Sequence, residues 1–304
     1  MLLSSLPLQT GTMAITDLYS IVQTAVGIFS WLWPHGPRPL SVNPRPVTVV
    51  ALTRPDEPVF ISALDLYTIR FPANQRDAIH DMIRWIQEGD KCRCNFLRPR
   101  DLLLAAVDGQ QALALLNFSF YPTRRLAFLS YLATRPRLNQ NQILGVSCGL
   151  IHAARGFFNR HLCTPVAIVT EVESPDVEGL SQKEKRRRLA RIKRLVQLAA
   201  TEGVVLRKLD LSYQSPNLRP ELQGSVLPMT LLYGRLQGAP KDRISHREAK
   251  RLLEFVYLKV YGDSFDHDPT NNKHYRDYVK KLFDNAMAHI INKPTLYLTD
   301  PLSG

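Results

Sequence analysis

Two glutamates stand two residues apart at the end of a short apolar segment, Ile168-Val169-Thr170-Glu171-Val172-Glu173. If the segment is a β-strand, both carboxylates project from the same face. A carboxylate placed there can serve as a general base that takes a proton from a nucleophile through a water molecule. Glu171 is the preferred base. The competing interpretation is that Glu171 or Glu173 pairs with a basic residue of the segment 184–194.

A second candidate site is the sequence of strand, short polar loop and helix start within residues 126–154. The first amides of a helix have no intrahelical partners and lie at the positive end of the helix dipole, so they suit a phosphate group. Gly145 supplies the glycine character that lets a backbone approach a ligand closely. The pattern predicts a diphosphate-binding turn, and an ordinary loop without a ligand is the alternative.

The chain is basic, with 39 Lys and Arg against 27 Asp and Glu and a formal charge of +12. Such a field favours polyanionic partners, namely nucleic acid, anionic lipid or a phosphate-rich cofactor, and does not choose among them. The densest run of charge is residues 183–194. A run of this kind is typical of a solvated helix face, and its functional interpretation is that the arginines contact an anionic group.

Histidines and cysteines give no metal-binding pattern. The histidines are scattered without ligand spacing, and the single residue between Cys92 and Cys94 is tighter than the usual zinc spacings. No metal is therefore predicted. Four cysteines in 304 residues are too few for a disulfide framework, which favours a reducing compartment and a cytoplasmic location.

The N-terminal segment 13–33 is apolar at helical spacing but too polar for a confident membrane span, and it lacks the features of a signal peptide. It is interpreted as an amphipathic helix that docks on this protein or on a second subunit, as in a homodimer. The alternative is a peripheral membrane anchor tipped by Trp31 and Trp33. Prolines then indicate an extended linker, so the chain divides into 1–46, a main domain 47–236 and a helical extension 237–304.

Apolar periodicity predicts an alternation of strands and helices in the main domain. Strands are predicted at 59–71, 102–107, 111–120, 125–134, 166–172, 204–213 and 226–236, and helices at 74–88, 143–159, 181–201, 246–261 and 274–292. Asp108-Gly109 is a strong hairpin signal, and the short connections around it indicate an antiparallel meander. The predicted fold class is α/β (α+β), with a mixed, mostly antiparallel sheet flanked by helices.

The order of these elements, together with three local motifs, resembles the GNAT superfamily of N-acetyltransferases over about residues 59–236. In that family the diphosphate loop reads Arg or Gln, two residues, Gly or Ala, one residue, Gly or Ala. The nearest match is Gln140-Asn141-Gln142-Ile143-Leu144-Gly145, where Ile143 departs from the pattern; without an insertion, Asn139, Gln142 and Leu144 take those places. The other two motifs are the glutamate-bearing strand and Leu211-Ser212-Tyr213-Gln214-Ser215-Pro216.

The resemblance implies transfer of an acetyl group from acetyl-CoA to an amine by direct attack, with Glu171 as the base and Tyr213 as the acid. Tyr131 is the second choice for the acid. It also implies that strand 126–134 splays from strand 166–172, so that a slot opens for the pantetheine arm. The residues implied to bind the cofactor are Leu132, Ala133, Thr134, Asn139, Gln140, Asn141, Gln142, Ile143, Leu144 and Gly145.

Two other functions fit the same sequence. A non-catalytic member of this fold could use its basic surface for nucleic acid, which is the less favoured partner, or for a protein. A membrane-surface protein anchored by residues 13–33 is the third class. Within the enzyme interpretation, no residue identifies the acceptor amine or the length of the acyl chain.

Overall fold

A computed structural model describes residues 48–91, 100–160, 165–218, 226–238, 241–262 and 269–302. The predicted amphipathic helix at 13–33, its proline-rich linker and the pair Cys92 and Cys94 lie outside these ranges. The division of the chain at residues 46 and 236 stays a prediction.

The described strands form one open sheet. They are β1 (Thr48–Ala51), β2 (Arg100–Asp108), β3 (Gln111–Tyr121), β4 (Leu126–Thr134), β5 (Ala167–Glu173), β6 (Leu206–Leu209), β7 (Tyr213–Pro216), β8 (Val226–Arg235), β9 (Arg243–Ser245) and β10 (Thr295–Thr299). Their spatial order is β1-β2-β3-β4-β5-β8-β6-β10-β9, with β7 paired to β8. Only β4 and β5 pair in parallel among these strands. The predicted mixed, mostly antiparallel sheet flanked by helices is confirmed.

Helices cover both faces of this sheet. They are α1 (Pro58–Arg70), α2 (Ile79–Lys91), α3 (Gln140–Arg160), α4 (Gln182–Thr201), α5 (His246–Leu253), its continuation as a π-helix (Glu254–Tyr261), and α6 (Pro269–Ala288). One face of the sheet carries Leu115 and Tyr121 of β3. Helices α1 and α2 pack on this face around Leu115, and the C-terminal helices pack on it around Tyr121. Helices α3 and α4 cover the opposite face.

The predicted strand at 59–71 is wrong, because these residues form helix α1. The segment is rich in β-branched and aromatic residues, which favour strands in isolation. Its buried residues Phe60, Ala63, Leu66 and Tyr67 nevertheless recur at helical spacing. Pro58 stands in the first turn, where its missing N–H removes no helical hydrogen bond.

Two other predicted elements change their bounds. The strand predicted at 204–213 is divided into β6 and β7, because Asp210 turns away to donate its N–H to the carbonyl of Tyr297 on β10 at 3.1 Å. The helix predicted at 74–88 begins only at Ile79, after a 3-10 turn at Ala73–Gln75. This broken connection between α1 and α2 lies over the sheet where the strands part.

Residues beyond 241 continue the same sheet. Strand β10 pairs with β6 and with β9, and so extends the edge beyond β8. The π-helix and α6 bury Phe255, Tyr257 and Tyr275 against the sheet. Aromatic side chains of this size make large contributions to a core. The C-terminal segment therefore extends the sheet that carries the candidate site and packs against it.

Candidate active site

Strands β4 and β5 pair for only half of their length. The parallel ladder runs from Leu126 opposite Ala167 to Leu129 opposite Thr170 and then stops. The Thr170 hydroxyl donates to the Leu129 carbonyl at 3.0 Å at this last step. Both strands continue, bound on their outer edges to β3 and β8. The predicted splay is therefore confirmed, and two inner strand edges face each other across a slot.

A β-bulge stands where the slot begins. Leu129 pairs with Phe118 and Tyr131 with Asn117, so Ser130 is an extra residue on β4. A bulge bends its strand and increases the local twist. Ser130 thus accounts for the departure of β4 from β5, and it lies in the wall of the cavity that results.

The cavity has a volume of about 730 Å³ and runs through the slot from one face of the sheet towards the other. Its walls come from β3, β4 and β5, from the connection between α1 and α2, from α4 and from the C-terminal π-helix. Its charged residues fall into two groups. The arginine end comprises Arg70, Arg187, Arg191 and Arg194 with the paired carboxylates Glu173 and Glu184, and the carboxylate end comprises Asp77, Asp101 and Glu171.

Glu171 lies in the cavity wall and accepts two hydrogen bonds from phenols. The Tyr213 hydroxyl donates to its Oε1 at 2.7 Å and the Tyr261 hydroxyl donates to the same oxygen at 2.9 Å. Burial raises the pKa of the Glu171 carboxyl, and the hydrogen bonds from the tyrosines oppose that rise. A raised pKa makes this carboxylate a stronger base than an exposed glutamate.

Tyr213 and Tyr261 differ in their access to the cavity. Tyr213 is only 3% exposed and is not one of the lining residues, whereas Tyr261 and its hydrogen-bond partner Ser215 line the cavity. The Ser215 and Tyr261 hydroxyls lie 2.7 Å apart. Burial and the nearby Glu171 raise the pKa of both phenols, so both stay protonated near neutral pH.

Glu173 has a different environment from Glu171. It forms an ion pair with Arg191 of α4, and it accepts a hydrogen bond from Gln75 Nε2 at 3.4 Å. The structure thus places Glu173 in the ion pair with α4 that the sequence raised as an alternative. Among the described residues, Glu171 has no cationic partner.

The arginine end gathers positive charge from two helices. Arg187, Arg191 and Arg194 lie on one stripe of α4, and Arg70 at the end of α1 faces them. Burial lowers the pKa of Arg70 and of Arg191, and the neighbouring arginines lower both further. Arg70 and Arg194 have no ion-pair partner among the described residues. Guanidinium groups held close together without enough counterions are suited to a polyanion.

The predicted diphosphate turn begins helix α3 but does not line the cavity. Asn139 precedes the helix and forms a reciprocal cap with Gln142: the Gln142 N–H donates to Asn139 Oδ1 at 3.0 Å, and the Asn139 N–H donates to Gln142 Oε1 at 2.9 Å. Gln140 and Asn141 are exposed in the first turn. Ile143, Leu144 and Gly145 follow within the helix, and a side chain at Gly145 would meet only open space.

The three residues of β4 predicted to bind the cofactor do not share one position. Leu132 and Thr134 line the cavity, while Ala133 packs with the α1 and α2 cluster. Ser147 of α3 also lines the cavity, at 0% exposure, and its hydroxyl has no hydrogen-bond partner among the described residues. A buried hydroxyl without a partner is costly, so a ligand in the slot would find a donor or acceptor there.

The carboxylate end contains residues that the sequence did not single out. The Tyr131 hydroxyl donates to Asp77 Oδ2 at 2.8 Å, and the Ser119 hydroxyl donates to Asp101 Oδ1. Burial raises the pKa of both Asp77 and Asp101 to about 6. Tyr131, predicted as a second choice for the acid, therefore supports Asp77. Asp77, Asp101, Tyr261 and Arg70 belong to no local motif, and only the fold brings them together.

Within the part of the chain that the structure describes, no group of three or more His, Cys, Asp or Glu side chains is arranged to hold a metal ion. Within those ranges, no helix is both long enough and apolar enough to cross a bilayer.

Known proteins resemble this chain in structure only. No protein-family model and no curated protein sequence matches it. A putative GNAT acetyltransferase from Bacteroides thetaiotaomicron is 15% identical, covers 70% of this chain and 98% of its own, and has a TM-score of 0.45. An aminoglycoside 6'-N-acetyltransferase from Enterococcus faecium is 14% identical, with 64% and 99% covered and a TM-score of 0.36. A tandem GNAT protein from the clavulanic acid biosynthesis pathway is 14% identical, with 78% and 65% covered and a TM-score of 0.39.

Similarity of this extent concerns the backbone and says nothing about substrates. With TM-scores below 0.5, these backbones agree only loosely, so the description of the fold depends on features of the chain itself. Those features are the strand order, the bulge at Ser130 and the slot between β4 and β5. They define an open, mostly antiparallel sheet that is splayed between β4 and β5.

Proposed function

We propose that this protein is an acyl-CoA-dependent N-acyltransferase that moves an acetyl group from acetyl-CoA to an amine. The observation that carries the proposal is the slot between β4 and β5, with a two-ended cavity passing through it. Unpaired backbone groups at a strand edge need a partner, and an extended pantetheine arm with two amide groups can pair with such an edge.

The arginine end supports a polyanionic cofactor beside this slot. Arg187, Arg191 and Arg194 repeat every three or four residues along α4, and Arg70 faces them from α1. Phosphate groups of acetyl-CoA would supply the counterions that this group lacks. The exposed amides at the start of α3, near Gln140 and Asn141, offer a second set of donors to the diphosphate.

Glu171 is proposed as the base of the reaction. The nitrogen lone pair of the amine attacks the thioester carbonyl carbon, a C–N bond forms, and the C–S bond breaks with its electron pair moving to sulfur. The proton leaves nitrogen for the Glu171 carboxylate through a water molecule. The raised pKa of Glu171 favours this transfer, because the carboxyl binds a proton more strongly than an exposed glutamate does.

The acid is proposed to come from the tyrosine pair at Glu171 Oε1. Tyr213 is the donor implied by the sequence, and its hydroxyl lies 2.7 Å from the carboxylate. Tyr261 contacts the same oxygen and also lines the cavity. A phenol can protonate the departing sulfur and then recover a proton from Glu171, which leaves an amide, a thiol and the original enzyme.

Titration of the purified protein with acetyl-CoA, followed by a screen of amines for release of free thiol, tests the proposal. We expect saturable binding and amine-dependent thiol release. Binding that survives in Glu171→Gln, together with loss of thiol release, would support the assignment of the base. If acetyl-CoA neither binds nor raises the melting temperature, while RNA or DNA binds in a salt-dependent manner, the non-catalytic alternative is favoured.

A further inference from the structure

We propose that the carboxylate end of the cavity binds an acceptor with at least two amino groups, so that the substrate class is small linear diamines and polyamines. This inference depends on the proposed acetyl transfer. Glu171 serves the amino group that reacts, and Asp77 and Asp101 bind an ammonium group that does not.

The first observation is a difference in counterions. Five carboxylates line the cavity: Asp77, Asp101, Glu171, Glu173 and Glu184. Glu173 pairs with Arg191, and Glu184 pairs with Arg187 and Arg188. Among the described residues, Asp77, Asp101 and Glu171 have no ion pair and receive hydrogen bonds only from hydroxyl and amide groups. These three carboxylates can therefore take their positive charge from a ligand.

The second observation is the carboxamide of Asn117. This side chain is 7% exposed and lines the cavity, and none of the described residues forms a hydrogen bond with it. Asn117 lies on the same face of β3 as Ser119, the partner of Asp101, because strand side chains alternate. The Asn117 carboxamide therefore has donors and acceptors available to a polar ligand in the cavity between Asp101 and the slot.

The spacing of the carboxylates indicates an elongated ligand. Asp101 on β2 lies opposite Ser119 on β3, and Ser119 lies opposite Phe128 on β4. Neighbouring strands are about 4.8 Å apart, so the backbone of Asp101 lies roughly 10 Å from β4 and roughly 14 Å from β5, the strand that carries Glu171. Asp77 lies above β4, where Tyr131 holds it. The carboxylates thus form a row from β2 to β5, across four neighbouring strands.

Aromatic side chains complete a wall suited to ammonium groups on a flexible carbon chain. Trp85 of α2 lines the cavity together with Phe128 and Tyr131 of β4. Aromatic faces attract cations and also bury methylene groups. A monoamine would satisfy Glu171 alone, whereas a diamine or polyamine would also neutralise Asp101 or Asp77. In the reaction the second ammonium keeps its protons, and only the reacting nitrogen loses one.

Kinetic comparison of butylamine, putrescine and spermidine tests the inference. We expect kcat/KM to be at least tenfold higher for putrescine and spermidine than for butylamine, since one charged hydrogen bond in such a site is worth roughly a factor of ten. Asp101→Asn keeps the hydrogen bond from Ser119 and should raise the KM for spermidine roughly tenfold with little change for butylamine. Asp108→Asn, at the exposed opposite end of β2, is the matched control and should change neither.

Isothermal titration of spermidine without acetyl-CoA separates this inference from the proposed function. Spermidine binding that weakens in Asp101→Asn supports the diamine site, even if acetyl-CoA fails to bind and the transferase proposal falls. Equal kcat/KM for butylamine and spermidine would overturn the inference while the transferase proposal stands. Equal losses for all three amines in Asp101→Asn, or faster acetylation of a lysine peptide than of spermidine, would also overturn it.

Discussion

The arginine end and the carboxylate end of the cavity differ in whether their charged residues have counterions. At the arginine end, Glu173 and Glu184 neutralise part of the positive charge, and most of the guanidinium groups are partly solvated. At the carboxylate end, no described cation approaches Asp77, Asp101 or Glu171, and burial raises the pKa of each. The charge at one end is thus partly balanced by carboxylates, whereas the carboxylates at the other end have no counterion among the described residues.

The largest effect should come from Glu171, where the carboxylate end meets the slot. Glu171→Gln removes the base but keeps two acceptor lone pairs for the tyrosines, so we expect kcat to fall roughly 100-fold or more. Acetyl-CoA affinity should stay within a factor of two or so, because the arginine end is unchanged. Steady-state kinetics and calorimetric binding measure the two quantities. If kcat falls less than about fivefold, Glu171 is not the base.

The pH dependence of the same reaction gives a second measure of this end. The pKa of Glu171 is raised, and a base acts in its deprotonated form, so activity should be lost as the pH falls through that raised pKa. The acidic limb of the pH profile of kcat/KM should therefore lie at a higher pH than the ordinary pKa range of a glutamate. A limb that is identical in the wild type and in Glu171→Gln would assign it to another group.

Substitution of each tyrosine should show whether contact with Glu171 is sufficient for the acid or whether the acid must also line the cavity. Tyr261→Phe removes the phenol that both touches Glu171 and lines the cavity, so kcat should fall roughly tenfold or more. Tyr213→Phe should produce a similar loss only if Tyr213 protonates the sulfur as the sequence implies. Unchanged turnover in Tyr213→Phe, with a loss in Tyr261→Phe, would assign the acid to Tyr261 alone.

At the arginine end, Arg194→Gln should raise the KM for acetyl-CoA roughly tenfold and leave the KM for the amine unchanged, since a charge-assisted hydrogen bond to phosphate is lost. The effect should shrink at high salt. Arg186→Gln is the control, because Arg186 is an exposed residue of the same helix and does not line the cavity. If the two substitutions change the KM for acetyl-CoA equally, the effect comes from the net positive charge of α4 and not from a contact made by Arg194.

The smallest predicted effect concerns stability. The pKa of Asp101 rises from 3.8 to about 6 on folding, so the folded state binds a proton more tightly than the unfolded state. The free energy of unfolding therefore decreases as the pH rises from about 4 to 6 and stays lower above that. Asp101→Asn should increase stability by about 1–2 kcal/mol at pH 8 and by much less at pH 4. Thermal unfolding at the two pH values measures this difference, and equal effects at both would contradict it.

The hairpin of β2 and β3 and the strand that carries Glu171 could be predicted from sequence because their signals are local, whereas the slot was implied only by the family resemblance. Asp108-Gly109 fixes the hairpin of β2 and β3, and the apolar segment before Glu171 marks a buried strand. The helix at 181–201 was equally clear, since the Ser181 side chain accepts from the Glu184 N–H and caps it. Local turn chemistry and alternation fix these elements with little help from tertiary contacts.

Other parts depend on tertiary context that no local pattern contains. Residues 59–71 have strand-like composition, yet contacts with the sheet favour the helix. Tyr261 lies 90 residues from Glu171 in the chain, and Asp77 lies 54 residues from Tyr131. Nothing near these residues in sequence marks them as members of one site. The carboxylate end became recognisable only when β2, β4 and the connection between α1 and α2 were placed together.

The position of β10 also constrains how the protein matures during synthesis. Strand β10 (Thr295–Thr299) lies between β6 and β9, and the π-helix before it supplies Tyr261 to Glu171. A nascent chain that has left the ribosome only as far as β8 already has both sides of the slot but lacks this phenol. In the proposed reaction, the complete pair of tyrosines at Glu171 is therefore present only after the C-terminal segment has been synthesised.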